Sequence, residues 1–334
     1  MRSPDEAVHS ARAVELDGVR FVLIILVVFG HLLEQVMSGP ADLIYRFIYL
    51  FHMPAFIFLS GMVSRTTLDV AYARRLLLGI VGVYLLHQFL LQGMDALLFK
   101  HPFTFRPNIP YWALWYLMSL LWWRTMLPFL LATGRPVLVA CAIALLAGFM
   151  PFIGYEWSLS RTLVFLPFFV AGQQWGARQG NRLPAVSPLV GFAVLALLAS
   201  AAWMTRDFSL KWYYGSVGYS EWRVGAFQGL GYRMLYLLLA AMGVFGVLAA
   251  CARFKGRIFR LGKYSIGAFI LHLYLVKVAV AFGWFGWLWR LSEPTRLPLL
   301  FATSIAIVIT CSLLARMAPW LFDLRRWFRN VETA

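Results

Sequence analysis

Arg20 and His31 are the two residues of this chain best spaced to do chemistry together. They bound the stretch RFVLIILVVFGH, in which nine of the ten intervening residues are apolar and the other is Gly30. In an α-helix, eleven steps of ~1.5 Å part them by roughly 16 Å along the axis and return them to within about 20° of one face. A guanidinium pairs with anions, and an imidazole takes up and returns a proton near neutral pH. Both are costly in hydrocarbon, so their shared face must look onto protein or water. Two carboxylates extend the pair. Asp17 stands one turn before Arg20 and can hold it, and Glu34 stands one turn beyond His31 and can orient its ring.

A second apolar run carries LFHMPAFIFLSG at residues 50–61. After a tight turn it runs back along the first, which returns His52 to nearly the depth of His31. Pro54 frees a backbone carbonyl near Leu50, and broken backbone at membrane depth is tolerated where it is buried or lines a cavity. His31, Glu34 and His52 are the expected catalytic group.

The elements that must hold these residues are membrane helices. The chain has 334 residues, of which 61% are hydrophobic, 17% aromatic and only 13% charged, against about 25% charged in soluble domains. A span needs ~20 largely apolar residues. Ten runs qualify, at 18–37, 43–64, 76–97, 111–131, 136–153, 159–176, 185–204, 228–250, 264–285 and 297–318. Pro151 and Pro167 interrupt the fifth and sixth. The expected fold is all-α: one polytopic membrane domain over 1–334, with a cytoplasmic N-terminal segment at 1–17 and a basic cytoplasmic tail at 319–334. The first apolar run is long enough to span and stay, which argues against a cleaved signal peptide.

The net charge of +16 does not indicate nucleic acid, because the Lys and Arg fall in short clusters between apolar runs, where they set topology. With the N-terminus inside, the inner segments hold 19 of them and the outer segments 8, which favours both termini on the inner side. Cys141, Cys251 and Cys311 are isolated and have neither disulfide nor zinc spacing; no metal is expected. Two outer segments, 98–110 and 205–227, are long enough to shape a site. The second is rich in Trp and Tyr, which suit either an interfacial belt or a platform for a sugar. A transporter or flippase is the main rival, but buried acidic relays are expected there. Of the fourteen acidic residues, only Glu34 lies at appreciable depth in this reading.

ELDGVRFVLIILVVFGH, RFIYLFHMPAFIFLSG, LWYLMSLLWWR, SRTLVFLPFFVAGQ and LGKYSIGAFILH, in that order, resemble the membrane-bound acyltransferase-3 family, and within it the fucose 4-O-acetylase-like glycan acetyltransferases. The resemblance covers nearly the whole chain. It implies a bacterial inner-membrane enzyme that moves an acyl group, usually acetyl, from cytoplasmic acetyl-CoA to a hydroxyl of a surface, periplasmic or lipid-linked glycan; a relative using succinyl-CoA or another acyl-CoA is the alternative. By position His31 matches the catalytic His, either as a base or as a transient acyl carrier, and Arg20 matches its paired Arg on the CoA side. Many members carry RxxR between the second and third spans, whereas this chain has adjacent Arg74 and Arg75; these two join Arg20 as expected CoA ligands. Glu156, Arg161, Arg233 and His272 are the acceptor-side candidates. His87 and Gln88 are expected to pack, and Lys277 to snorkel or pair.

Overall fold

The computed structural model describes residues 4–180, 182–222, 224–254 and 256–325; the basic tail beyond 325 lies outside them. Among the described residues, every regular element is a helix. Helix α1 spans Pro4–Leu33 and α2 spans Gly39–Met62. Next, α3 (Val70–Leu76) passes through one π-turn into α4 (Gly82–Phe99), making a single rod. Asp69 starts that rod by accepting the Tyr72 N–H, and left-handed Lys100 ends it. There follow α5 (Trp115–Leu131), α6 (Pro136–Leu146), α7 (Leu159–Gln179) and α8 (Pro188–Met204). The short α9 (Leu210–Tyr214) precedes α10 (Ala226–Cys251) and α11 (Ser265–Ala281), and another short helix, α12 (Trp284–Leu288), leads into α13 (Glu293–Met317).

Every one of the ten apolar runs is helical. Among the described residues, seven helical stretches are long and apolar enough to cross a membrane: Val14–Leu33, Gly39–Met62, Val70–Phe99, Trp112–Leu131, Ala226–Cys251, Phe259–Ala281 and Glu293–Met317. The protein is therefore an all-α polytopic membrane protein. The other three runs are less regular. The fifth is cut short, its helical backbone ending at Phe149 before Pro151. Helix α8 has 17 residues. Helix α7 continues through Pro167 for 21 residues, but with Arg161, Gln173 and Gln174 along it, it is not among the seven. Helix α1 starts at Pro4, before the apolar run itself begins.

Helices α1 and α2 form the centre. Helix α1 packs on α2, α11 and α13, while α2 packs most extensively on α7 and also on α10. The Arg20–His31 rod is thus enclosed by protein. Small residues permit the closest of these contacts: a Cβ at Gly172 would strike the Phe58 carbonyl oxygen, and one at Gly61 would strike that of Phe169. Backbone meets backbone here, so no side chain can swing aside. Gly172→Ala should lower stability by about 1–3 kcal/mol through overpacking, seen as a lower thermal midpoint in detergent. An unchanged midpoint would mean that α2 and α7 separate freely.

Candidate active site

His31 sits near the end of α1 and is 8% exposed. Its Nδ1 lies 3.1 Å from Glu34 Oε2. A carboxylate can only accept, so Nδ1 carries the hydrogen and Nε2 keeps its lone pair. His52 on α2 has the same arrangement, donating Nδ1–H to the Ile48 carbonyl at 2.8 Å. Both imidazoles line one pocket of about 100 Å³ with Glu34, Tyr49, Trp115 and Arg161. The depth match expected from the α1–α2 hairpin is met, and so is the Glu34 contact.

Aromatic rings build most of the remaining wall. The Trp112 ring stands edge-on to His31 at 4.4 Å, and Tyr49 stands edge-on to His52 at 4.6 Å. Tyr45 on α2 and Tyr214 on α9 share a hydroxyl hydrogen bond of 2.8 Å, which ties the segment around α9 to the pocket. Arg161, at the start of α7, lies 5.0 Å from the Trp115 ring centroid and 5.3 Å from that of Tyr155. Its Nε donates to the Tyr214 carbonyl at 3.4 Å. Among the described residues it thus meets aromatic faces and a carbonyl rather than a carboxylate.

A second pocket, of about 220 Å³, lies at the Arg20 end of α1. Arg20 Nη1 is held by Asp17 Oδ1 at 3.0 Å, as the one-turn spacing predicts. Arg124 from α5 and Lys263 from the 3₁₀ turn Phe259–Tyr264 complete a group of three cations, with Ser60 and Tyr116 beside them. Gly262 allows that turn to lie against α1, since a Cβ there would strike the Asp17 carbonyl. The Arg124 Nε is buried without a hydrogen-bond partner. An orphaned donor of this kind costs about 1–3 kcal/mol, which an anionic ligand would offset. Met53 and Phe269 line both pockets, so the cationic pocket and the histidine pocket adjoin along one face of α1.

Other expected site residues lie elsewhere. Arg74 and Arg75 are exposed on α3 and line neither pocket; the cations that line the pocket with Arg20 are Arg124 and Lys263. Glu156 is exposed on the turn before α7, also outside the pocket. Arg233 is 1% exposed on α10. The chain between α9 and α10 folds over it, so its guanidinium faces the Trp222 ring at 4.9 Å and donates to the Val217 carbonyl at 3.1 Å. His272 lies behind His31, with the two rings nearly parallel and 5.3 Å apart. It is fully buried and does not line the pocket. Glu34 is also not the only acid at depth: Asp95 on α4 is largely buried and binds Lys277 Nζ at 2.9 Å, which gives Lys277 its expected partner. His87 bonds Tyr274 and the Leu321 carbonyl, while Gln88 bonds the backbone of Arg106, Ile109 and Tyr111; both pack as expected. Among the described residues no cluster of His, Cys, Asp or Glu could hold a metal ion.

Sequence reasoning did not single out Tyr49, Trp112 and Trp115, because an aromatic residue in an apolar run gives no sign of which way it faces; Tyr214 lies in the aromatic segment 205–227. Arg124 and Lys263 were read as topology charges. Comparison with known proteins agrees with the resemblance at family level. One stretch is 41% identical over 69 residues to the nodulation protein NolL of Sinorhizobium fredii (strain NBRC 101917 / NGR234), covering 19% of this chain and 19% of that relative. No solved structure matches. Residues 14–316 match the acyltransferase domain of the acyltransferase-3 family. The chain belongs to that family.

Proposed function

We propose that the protein transfers an acetyl group from cytoplasmic acetyl-CoA to a hydroxyl of a surface, periplasmic or lipid-linked glycan. In this reading it lies in a bacterial inner membrane with ten spans and both termini inside. The observation that carries the reading is the adjoining of the two pockets at Met53 and Phe269. The Arg20 pocket opens inward and holds the phosphates of CoA through Arg20, Arg124 and Lys263. The pantetheine arm follows α1, whose rise of roughly 16 Å suits an extended thiol arm, and the thioester reaches His31.

His31 Nε2 then takes the proton of the acceptor hydroxyl as its oxygen attacks the thioester carbon. The carbon–sulfur bond breaks, and the leaving thiolate takes the same proton back from His31, so the ester and free CoA form without net proton release. Glu34 fixes the imidazole tautomer and balances the transient imidazolium. Arg161 and the tyrosines around it orient the acceptor.

The test is direct. Purified protein given radiolabelled acetyl-CoA and glycan should yield labelled, ester-linked carbohydrate. Donor left intact while glycan crosses the membrane would favour a transporter instead. Glu34→Gln should lower kcat by roughly 10–100-fold and leave the KM for acetyl-CoA near its original value, as steady-state kinetics would read. A mutant with full kcat would remove Glu34 from the mechanism.

A further inference from the structure

A third cavity, of about 290 Å³, lies on the far side of Glu34 from the histidine pocket. Its walls are Glu34 and Gln35 after α1, Tyr111 and Trp112 before α5, and Lys277 and Val280 on α11. Glu34 and Trp112 belong to both cavities, so they form the partition between them. Trp112 has a left-handed backbone, with φ at 45°. For a bulky residue this is strained and persists only where the surroundings impose it. Here it sets an indole in the shared wall.

The charges select among ligand classes. Lys277 is neutralised by Asp95 at 2.9 Å, and its ammonium lies 5.1 Å from the Tyr111 ring centroid and 5.8 Å from that of Trp112. Tyr111 in turn gives its hydroxyl hydrogen to Asp95. Asp95 also lies 3.0 Å from His101 Nε2 outside the cavity, and among the described lining residues the other charged side chain is Glu34, whose carboxylate repels anions and accepts from hydroxyls. Two aromatic faces, a carboxylate, an amide and a neutralised ammonium suit an uncharged ring bearing many hydroxyls.

We propose that this cavity is a second sugar subsite, which holds the glycan unit next to the one being acetylated. The proposal rests on the acetyl-transfer reading above. The hydroxyl-bearing unit enters the His31 pocket while its neighbour stacks on Trp112 and bonds Glu34 and Gln35. The enzyme then reads a chain of at least two sugars, and Glu34 touches both the base and the acceptor.

The experiment compares acceptors of one to six sugar units, cut from the surface polysaccharide of the producing cells, using purified protein and acetyl-CoA. The intact protein should show a KM at least about tenfold lower for two or more units than for one, equivalent to a single modest subsite. Val280→Trp, which fills the cavity, should erase that advantage, and Gln35→Ala should reduce it. If Val280→Trp does not fold, as judged by its thermal midpoint, Gln35→Ala carries the test alone. Equal KM values for one and several units in the intact protein would overturn the subsite, as would folded variants that keep the full advantage. Inhibition by inorganic pyrophosphate that competes with the oligosaccharide would also overturn it, by making this an anion site. Acetyl transfer to no carbohydrate at all would instead defeat the functional reading on which the subsite depends.

Discussion

His31→Ala should cut acetyl transfer by about 10²–10⁴-fold, the usual contribution of a positioned general base, while the protein still inserts and folds. The expectation follows from the ring's setting. Nδ1 is committed to Glu34 at 3.1 Å, so Nε2 is the nitrogen left to accept a proton. His52 cannot easily take over, since its ring is fixed by the Ile48 carbonyl at 2.8 Å and has no carboxylate to balance a charge. Folding should survive because the main close contacts of α1 are backbone and apolar. The measurement is labelled acetyl transferred per unit time, set beside the thermal midpoint of each protein. If a folded His31→Ala protein forms product normally, the mechanism is wrong.

Arg20→Ala has the second largest expected effect, on donor use. Arg20, Arg124 and Lys263 surround one pocket, and Asp17 is bonded to Arg20 there. Each cation lost should remove a charge-assisted hydrogen bond of ~1.5–3 kcal/mol, raising the KM for acetyl-CoA by about 10–100-fold with kcat little changed. That pattern marks binding shared by ground state and transition state. Arg124→Ala should act likewise. Arg75→Ala should have a much smaller effect, because Arg75 is exposed outside the pocket. A donor KM that rises with Arg75→Ala but not with Arg124→Ala would move the head-group site to α3.

Much of the centre of this protein can be read from its sequence. Asp17, Arg20 and His31 lie on one helix, with Glu34 on the turn that follows it, and there spacing alone decides which residues share a face. His52 was within reach because a tight turn fixes the depth of the returning helix. Residues brought in by later helices were not within reach. Arg124 and Lys263 look like any boundary cation until α5 and the turn before α11 are placed against α1. Arg233 stands among the acceptor-side candidates as a cation inside a span. Its partners are the ring faces of Tyr219 and Trp222, and no sequence spacing announces such a cage. Asp95 was overlooked because its partner Lys277 lies 182 positions away. The helices themselves were legible as apolar runs, with α6 and α8 shorter than a typical span.

The most direct test of the central claim is a structure of the protein with a non-hydrolysable acetyl-CoA analogue, in which carbon replaces the thioester sulfur. The account places the phosphates against Arg20, Arg124 and Lys263, the arm between Met53 and Phe269, and the acetyl carbonyl carbon within about 4 Å of His31 Nε2, close to the near-attack range. An analogue bound with its head on Arg74 and Arg75, or with its acetyl group outside the His31 pocket, would contradict it.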